Sequence, residues 1–336
     1  MSGVHNQSEE TMLQKSKTRA VFATALLLCG LSAAQAQTFP SRAITIIVPF
    51  PPGGVTDPVA RVIGQRMSEN IRQPVLVDNR PGASGIIAAE FVKKSPADGY
   101  TVLFGFTGSH SVNPSLYSKL PYDPVKDFQP ITTIISTKHI LVVPAGSPAK
   151  SIAELIALAK SRPGGLNFAS QGIGAGGHLL GEMLKARTGA PLSHVPYKGS
   201  APAVQDILAG RIDLLFDAVV TSAPFVKDGK LRALAIAATS RSAVLPDVPT
   251  TAEAGFPGID GDQWFGMLAP AATSQAVVRK LHEEFVRAVH SPDILKRFTD
   301  QGLDVVTNTP EEFAALMAAD AVRFGKVVRD SGARVD

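Results

Sequence analysis

Apolar residues along the chain fall into two spacings that alternate. Ile44, Ile46, Ile47 and Val48 form a short β-branched run of buried-strand type. Residues 49–54, rich in proline and glycine, cannot continue a strand. Asp57-Pro58 then opens a helix, with Asp57 as N-cap and Pro58 at the first helical position; Ala60, Ile63, Met67 and Ile71 give it one apolar face. The same order recurs. Strands are predicted over 75–78, 101–106, 131–143, 166–169, 192–196, 214–217, 231–238 and 264–269. Helices are predicted over 86–94, from Ser151 (a capping box with Glu154), from His178, and over 202–209, 221–226, 274–290, 292–301 and 310–329.

Strands alternating with helices imply an α/β fold with parallel sheets covered on both faces. Ligands in such folds sit beyond the carboxyl ends of the strands. Glycine loops fall at those ends: 49–54, 79–85 and 105–110 in one run of units, 170–177 and 197–200 in another. Two facing lobes with one cleft between them is the economical arrangement. The loop at 49–54 leads into a helix start, where backbone N–H groups and the helix dipole favour an anion. Read alone it is equally an ordinary strand-to-helix turn. Gly54 is expected to be glycine because backbone approaches the ligand closely or takes a positive φ.

The N-terminal segment changes the compartment rather than the fold. Lys15, Lys17 and Arg19, an apolar run over 20–34 and Ala34-Gln35-Ala36 read as a signal peptide, 1–36, with a mature chain from Gln37 in the periplasm. The polar stretch before Met12 leaves Met12 as an alternative start. Cys29, the single cysteine, lies in this leader; lipid anchoring there is opposed by the bulky Leu28 before it. The mature protein therefore has no disulfide or cysteine metal site, and its apolar runs are too short for membrane insertion. The 336 residues, 45% hydrophobic and 18% charged, suit two lobes, and a net charge of +4 without basic blocks excludes nucleic acid as a partner.

Gly172, Gly174 and Gly177 fit the dinucleotide pattern after a strand and before a helix, but the acidic residue expected on the next strand is absent. That disfavours NAD, and the loop reads as a backbone anion cradle. A secreted serine hydrolase needs G-x-S-x-G, which the chain lacks. The histidines show no paired metal spacing. No catalytic residue, cofactor or metal is expected; a secreted hydrolase or a dinucleotide-binding enzyme is the alternative.

The stretches ITIIVPFPPGGVTDPVAR, VDNRPGASG, DGYTVLFG, HVPYKGSAPAVQDILAGRIDLLFD, LPDVPTTAEAG and TPEEF, in this order, resemble the Bug family, the extracytoplasmic (TctC-like) receptors of tripartite tricarboxylate transporters. The resemblance implies a two-lobe periplasmic binding protein fold, each lobe a mostly parallel sheet flanked by helices. It implies a receptor, not an enzyme, that closes on a small organic mono- or dicarboxylate in the interlobe cleft, for uptake or sensing. Lobe one is expected over 38–138 plus 260–336 and lobe two over 139–259. A monomer is expected, with a tripartite membrane transporter as its partner protein. Carried onto this chain, the ligand loop is Phe50, Pro51, Gly53, Gly54, Thr56 and Asp57. The facing lobe supplies Ser170, Gln171, Gly174, His178, Tyr197, Lys198 and Asp217, and Thr107 completes the expected set. The family usually has a hydroxyl residue before the histidine; Ala175-Gly176-Gly177 has none, which implies a different or less polar ligand.

Several of these have plainer readings. His178 at a helix N-terminus is expected neutral, as a packing residue or a ligand contact. Asp217 either caps the helix from 221 or lines the cleft, Asp57 is first an N-cap, Trp264 is core or cleft wall, and Lys198 is a solvated cation or a contact.

Overall fold

The computed structural model describes residues 39–331; the expected leader, with Cys29, lies outside them. The first run of units gives β1 (Ile44–Val48), α1 (Thr56–Ile71), β2 (Val75–Asn79), α2 (Ile86–Lys93), β3 (Thr101–Phe106), the short α3 (Asn113–Leu116) and β4 (Phe128–Thr137). The second gives β5 (His139–Pro144), α4 (Ile152–Ser161), β6 (Leu166–Ser170), α5 (Gly176–Thr188), β7 (Leu192–Pro196), α6 (Ser200–Leu208), β8 (Leu214–Ala218), α7 (Val219–Lys227) and β9 (Leu231–Ala237). β10 (Gln263–Pro270), α8 (Gln275–Val289), α9 (Pro292–Asp300), β11 (Leu303–Val305) and α10 (Pro310–Ser331) complete the described chain.

The strands form two sheets, ordered β11-β4-β10-β3-β1-β2 and β7-β6-β8-β5-β9. β1 runs parallel to both β2 and β3, and all its residues but Thr45 are buried, which is why it reads as an apolar run broken only there. In the first sheet β10 runs against β3 and β4, and β11 against β4; in the second β5 runs against β8 and β9. Four of the six strands and four of the five therefore share a direction. In β5, Leu141 and Val143 join one core while Ile140 and Val142 join the other, the signature of a sheet covered on both faces.

The predicted strand over 131–143 is two strands in two sheets, parted by Lys138 alone. Nothing in the apolar pattern marks the break, because both halves are buried. The chain returns to the first sheet at β10, whose Gln263 pairs with Thr137, the last residue of β4. The loop expected after β3 is instead a π-helical turn over Gly108–Val112. β11, with three residues, carries too little pattern to be predicted. The capping box at α4 is present in a shifted form. Ser151 accepts from the Glu154 N–H at 3.2 Å, and the Glu154 carboxylate accepts from the Lys150 N–H at 2.7 Å, one residue before the cap.

Asp57 does not cap α1. The helix starts at Thr56, Val55 holds the cap position, and no side chain bonds there. Asp57 instead pairs with Arg61 at 2.9 Å, one turn on. Arg61 donates to the Asn79 side-chain oxygen at 3.1 Å, and Asn79 donates to the Phe50 carbonyl at 2.9 Å. This relay fixes the loop after β1 to the end of β2.

Candidate functional site

The loop after β1 faces the second sheet across a cleft. Ser84, in the loop after β2, donates across it to the Ile173 carbonyl. At the inner end of the cleft lies a cavity of about 30 Å³, walled by Phe50, Pro51, Gly54, Val55 and Thr56 from one side and by Gln171, Ala175, Gly199, Ser200, Ala201 and Ala218 from the other. His139, Gln263 and Phe265 close its base. No Lys, Arg, Asp or Glu lines it. An outer chamber of about 200 Å³ shares Phe50 and Gln171 with it and is lined by Ser84, Gly172, Tyr197 and Lys198.

Four helices begin at the inner cavity or directly behind its wall: α1 at Thr56, α5 at Gly176, α6 at Ser200 and α7 at Val219. None is capped by its own N-cap side chain, but in α5 the Gly177 N–H is taken by Gln171 Oε1 at 3.3 Å and in α7 the Val219 N–H by the Lys138 carbonyl at 3.0 Å. The first-turn amides of a helix have no intrahelical acceptor, and the dipole adds partial positive charge. The dipoles of these four ends, with the amides left free there, favour negative charge in one small space.

Three buried side-chain atoms at this cavity have no partner among the described residues: the Thr56 hydroxyl, His139 Nδ1 and Gln263 Nε2. Their residues are 1%, 1% and 7% exposed. Burial pushes the His139 ring down to about 4, against the opposing pull of the Asp217 charge and the Gly261 backbone, so it is neutral at neutral pH.

Of the expected residues, Phe50, Pro51, Gly54, Thr56 and Gln171 stand on the inner wall. Tyr197 and Lys198 stand on the outer chamber, where the Tyr197 hydroxyl donates to Asp206 at 2.6 Å and Lys198 is exposed. Gly53 borders a separate hollow toward Ala201 and Leu208. Of the two reasons expected for glycine at 54, the positive φ belongs to Gly53 (+93°) instead; Gly54 lines the cavity, and a Cβ there would meet open space.

Asp57, Thr107, Ser170, Gly174, His178 and Asp217 lie behind the walls. Thr107 accepts from the Trp264 N–H at 3.0 Å, tying β3 to β10. Ser170 bonds His194 Nε2 at 2.6 Å, and His194 stacks on His178 at 4.1 Å between centroids. His178 Nδ1 accepts from the Gly174 N–H at 3.1 Å, and burial lowers its pKa to about 4. Asp217 is fully buried. Its carboxylate accepts from Gln171 at 2.9 Å, Ser200 and Ser222 at 2.7 Å each, and Thr221. It neither caps α7 through backbone nor faces the cavity; it fixes two side chains that do, Gln171 and Ser200.

The sequence reading passed over His139, Gln263, Phe265 and Ser200. One signal could have found two of them. Successive strand residues face opposite ways, so Gln263 and Phe265 share a face that Trp264 does not. Trp264 is core: its indole donates to Asp320 at 2.9 Å and meets Phe313 edge-on.

Comparisons with known proteins agree with this geometry. Residues 59–333 match the family described as tripartite tricarboxylate transporter family receptor. The protein BugT of Bordetella pertussis is 36% identical over 325 residues, covering 96% of this chain and 100% of that one. A Rhodopseudomonas palustris protein solved with adipate superposes with a TM-score of 0.84 at 37% identity, covering 88% of this chain and 98% of its own. MatC of the same organism, solved with bound malate, gives 0.83 at 35% identity over 86% and 100%. Among the described residues no helix is long and apolar enough to cross a membrane. With the family match spanning most of the chain and the shared two-sheet fold, this protein belongs to the tripartite tricarboxylate transporter receptors, solute-binding proteins rather than enzymes.

Proposed function

We propose that this chain is a periplasmic receptor whose two lobes, about 38–138 plus 260–336 and 139–259, close on a small organic mono- or dicarboxylate and present it for uptake by a tripartite transporter. The observation that supports the reading is the ring of four helix N-termini around one cavity with no charged side chain in its lining. Such a ring neutralises a carboxylate by backbone donation, with no cation needed. That relatives were solved with adipate and with malate fits the same chemistry.

In this reading Phe50, Pro51, Gly54, Thr56 and Gln171 touch the ligand, Lys198 and Tyr197 border its route in, and Asp217, His178 and Ser170 hold the cradle. The test is calorimetry of the purified mature protein against aliphatic and aromatic carboxylates, acidic amino acids, sugars and NADPH. Binding of a carboxylate class, and of nothing else, is the expected result. Binding of sugars or NADPH alone would overturn it.

A further inference from the structure

The loop over 171–175 serves both sides of the cleft. Gln171 and Ala175 stand on the inner wall. Between them the chain leans on elements of the first sheet. The Ile173 carbonyl takes the Ser84 hydroxyl, and its side chain packs with Val112, Leu116 and Phe324. A Cβ built on Gly174 would come within 2.9 Å of Asn113 Oδ1 and Leu116 Cδ2, and one built on Gly108 within 2.9 Å of the Gly174 carbonyl. One short loop therefore lines the cavity and shuts the cleft.

Two stacked rings hold it from behind. The Gly174 N–H donates to His178 Nδ1 at 3.1 Å. His194 lies on His178 with centroids 4.1 Å and planes 22° apart, and its Nε2 bonds the Ser170 hydroxyl at 2.6 Å. Ser170 in turn bonds the Gly172 N–H and carbonyl, at 3.2 and 3.0 Å.

The hold requires an uncharged His178. An imidazolium has a proton on both nitrogens and accepts nothing. A charged ring would aim an N–H at the Gly174 N–H, and a second charge on His194 would stand directly over the first. A loop that has swung free bears neither cost. Neighbouring charges do not offset it. α5 packs against β6, β7, β8 and α10. On α5 itself Lys185, beside Glu182 at 3.5 Å, repels charge on both rings, and Arg187 has the same sign. β6 and β7 carry no other ionisable side chain, and Lys198 after β7 is a further cation. Asp217 on β8 is taken up by its four donors. On α10, Asp320 accepts from the Trp264 indole, Arg323 lies 3.6 Å from Asp260, and Lys326 and Arg329 are cations.

We propose that His178, backed by His194, is a proton-operated catch: protonation frees Gly174, the loop over 171–175 lets go of the facing side, and the receptor opens and sheds its carboxylate in acid. The inference rests on the proposed receptor and adds its regulation. Burial holds the two rings at about 4 and about 3 when caught, against 6.5 when free. The hold is thus full above about pH 6.5 and is lost toward about pH 4.

Nuclear magnetic resonance of the labelled mature protein, without added solute, tests the catch between about pH 8 and about pH 4. The His178 ring should titrate, and the exchange protection of the Gly174 amide should fall with the same midpoint. In His178→Asn, whose side-chain oxygen can take the same N–H and cannot be charged, that fall should vanish. A ring that charges while Gly174 stays protected, or that stays neutral until the protein unfolds, overturns the proposal. The parent titration decides by these criteria where the variant fails to fold.

Calorimetric titrations with malate and with adipate test release. Parent and variant are each compared with their own affinity at about pH 7.5, so the ionisation of the acid cancels. By about pH 5 the parent should have lost about tenfold or more relative to the variant. Equal losses overturn the proposal. A protein that binds no carboxylate at neutral pH overturns the receptor reading instead, and the resonance titration then judges the catch alone.

Discussion

The Ser200 hydroxyl donates to the Asp217 carboxylate at 2.7 Å, so the first residue of α6 is anchored to the penultimate residue of β8 in the sheet beneath it. Three further donors, from Gln171, Thr221 and Ser222, share that buried carboxylate. Replacing it by alanine strands the Ser200 and Ser222 hydroxyls, while Gln171 keeps the Phe216 carbonyl at 2.7 Å and Thr221 that of Ala218 at 2.8 Å. Asp217→Ala should cost roughly 3 kcal/mol or more, a fall in melting temperature on the order of 5–10 °C. Calorimetric melts check this, and a loss under about 1 kcal/mol would show that the hydroxyls find other acceptors.

Two glycines of the cleft should respond in opposite ways. Gly54 has open space where its Cβ would go, so Gly54→Val should fold normally and fill the cavity, abolishing ligand binding. Gly176 is closed in by Gln263 and His139, so Gly176→Ala should destabilise by about 1–3 kcal/mol. Melting curves and calorimetric titration separate the two. Full binding by Gly54→Val would place the ligand elsewhere.

The loop after β1 should depend on the relay from Asp57 through Arg61 and Asn79 to the Phe50 carbonyl. Asp57→Ala should cost only about 0.5 kcal/mol of stability, the worth of a helix ion pair, since no cap is lost. Its effect on affinity should overlap with that of Asn79→Ala, so the double variant binds about as well as the worse single one. Additive losses in a double-mutant cycle would mean the two act separately.

Stability should fall in mild acid. Burial lowers His110 and His194 to about 3 and His139 and His178 to about 4, from 6.5. The unfolded chain therefore takes up protons on these rings first. Stability is full above about pH 6.5 and declines as pH drops from there toward 4, by at most about 1.4 kcal/mol per pH unit for each ring. Melting temperature against pH should show this slope, and His194→Phe should flatten it. An unchanged slope would assign the acid loss to carboxylates.

The repeated strand, loop and helix order was legible because proline and glycine punctuate it: residues 49–54, 79–85 and 170–177 all separate a strand from a helical element. The base of the site was not. His139 sits just past a sheet change marked by one ordinary lysine between two apolar strands. Gln263 was overshadowed by the bulkier Trp264, because alternation tells which residues share a face and not which face meets the cleft. Asp217 reads as a cap or a wall from its place at a strand end; only the tertiary arrangement shows its four donors beneath the wall.

If the two proposed lobes close on each other, the crossing at Lys138, with Gln263 paired to Thr137 beside it, places part of the cavity at the pivot. On rotation of one lobe, a point moves in proportion to its distance from the axis. Ser84 and Ile173, at the mouth, would part widely; His139 and Gln263 would scarcely move. A ligand shifts an equilibrium only through contacts that differ between its states. In the proposed closing receptor, those at the pivot would select which solute stays in the open form, and the drive to shut would come from the rim. Selectivity and closure would then be separable by mutation: changes at His139 alter what is held, and changes at Ser84 alter how firmly the lobes shut on it.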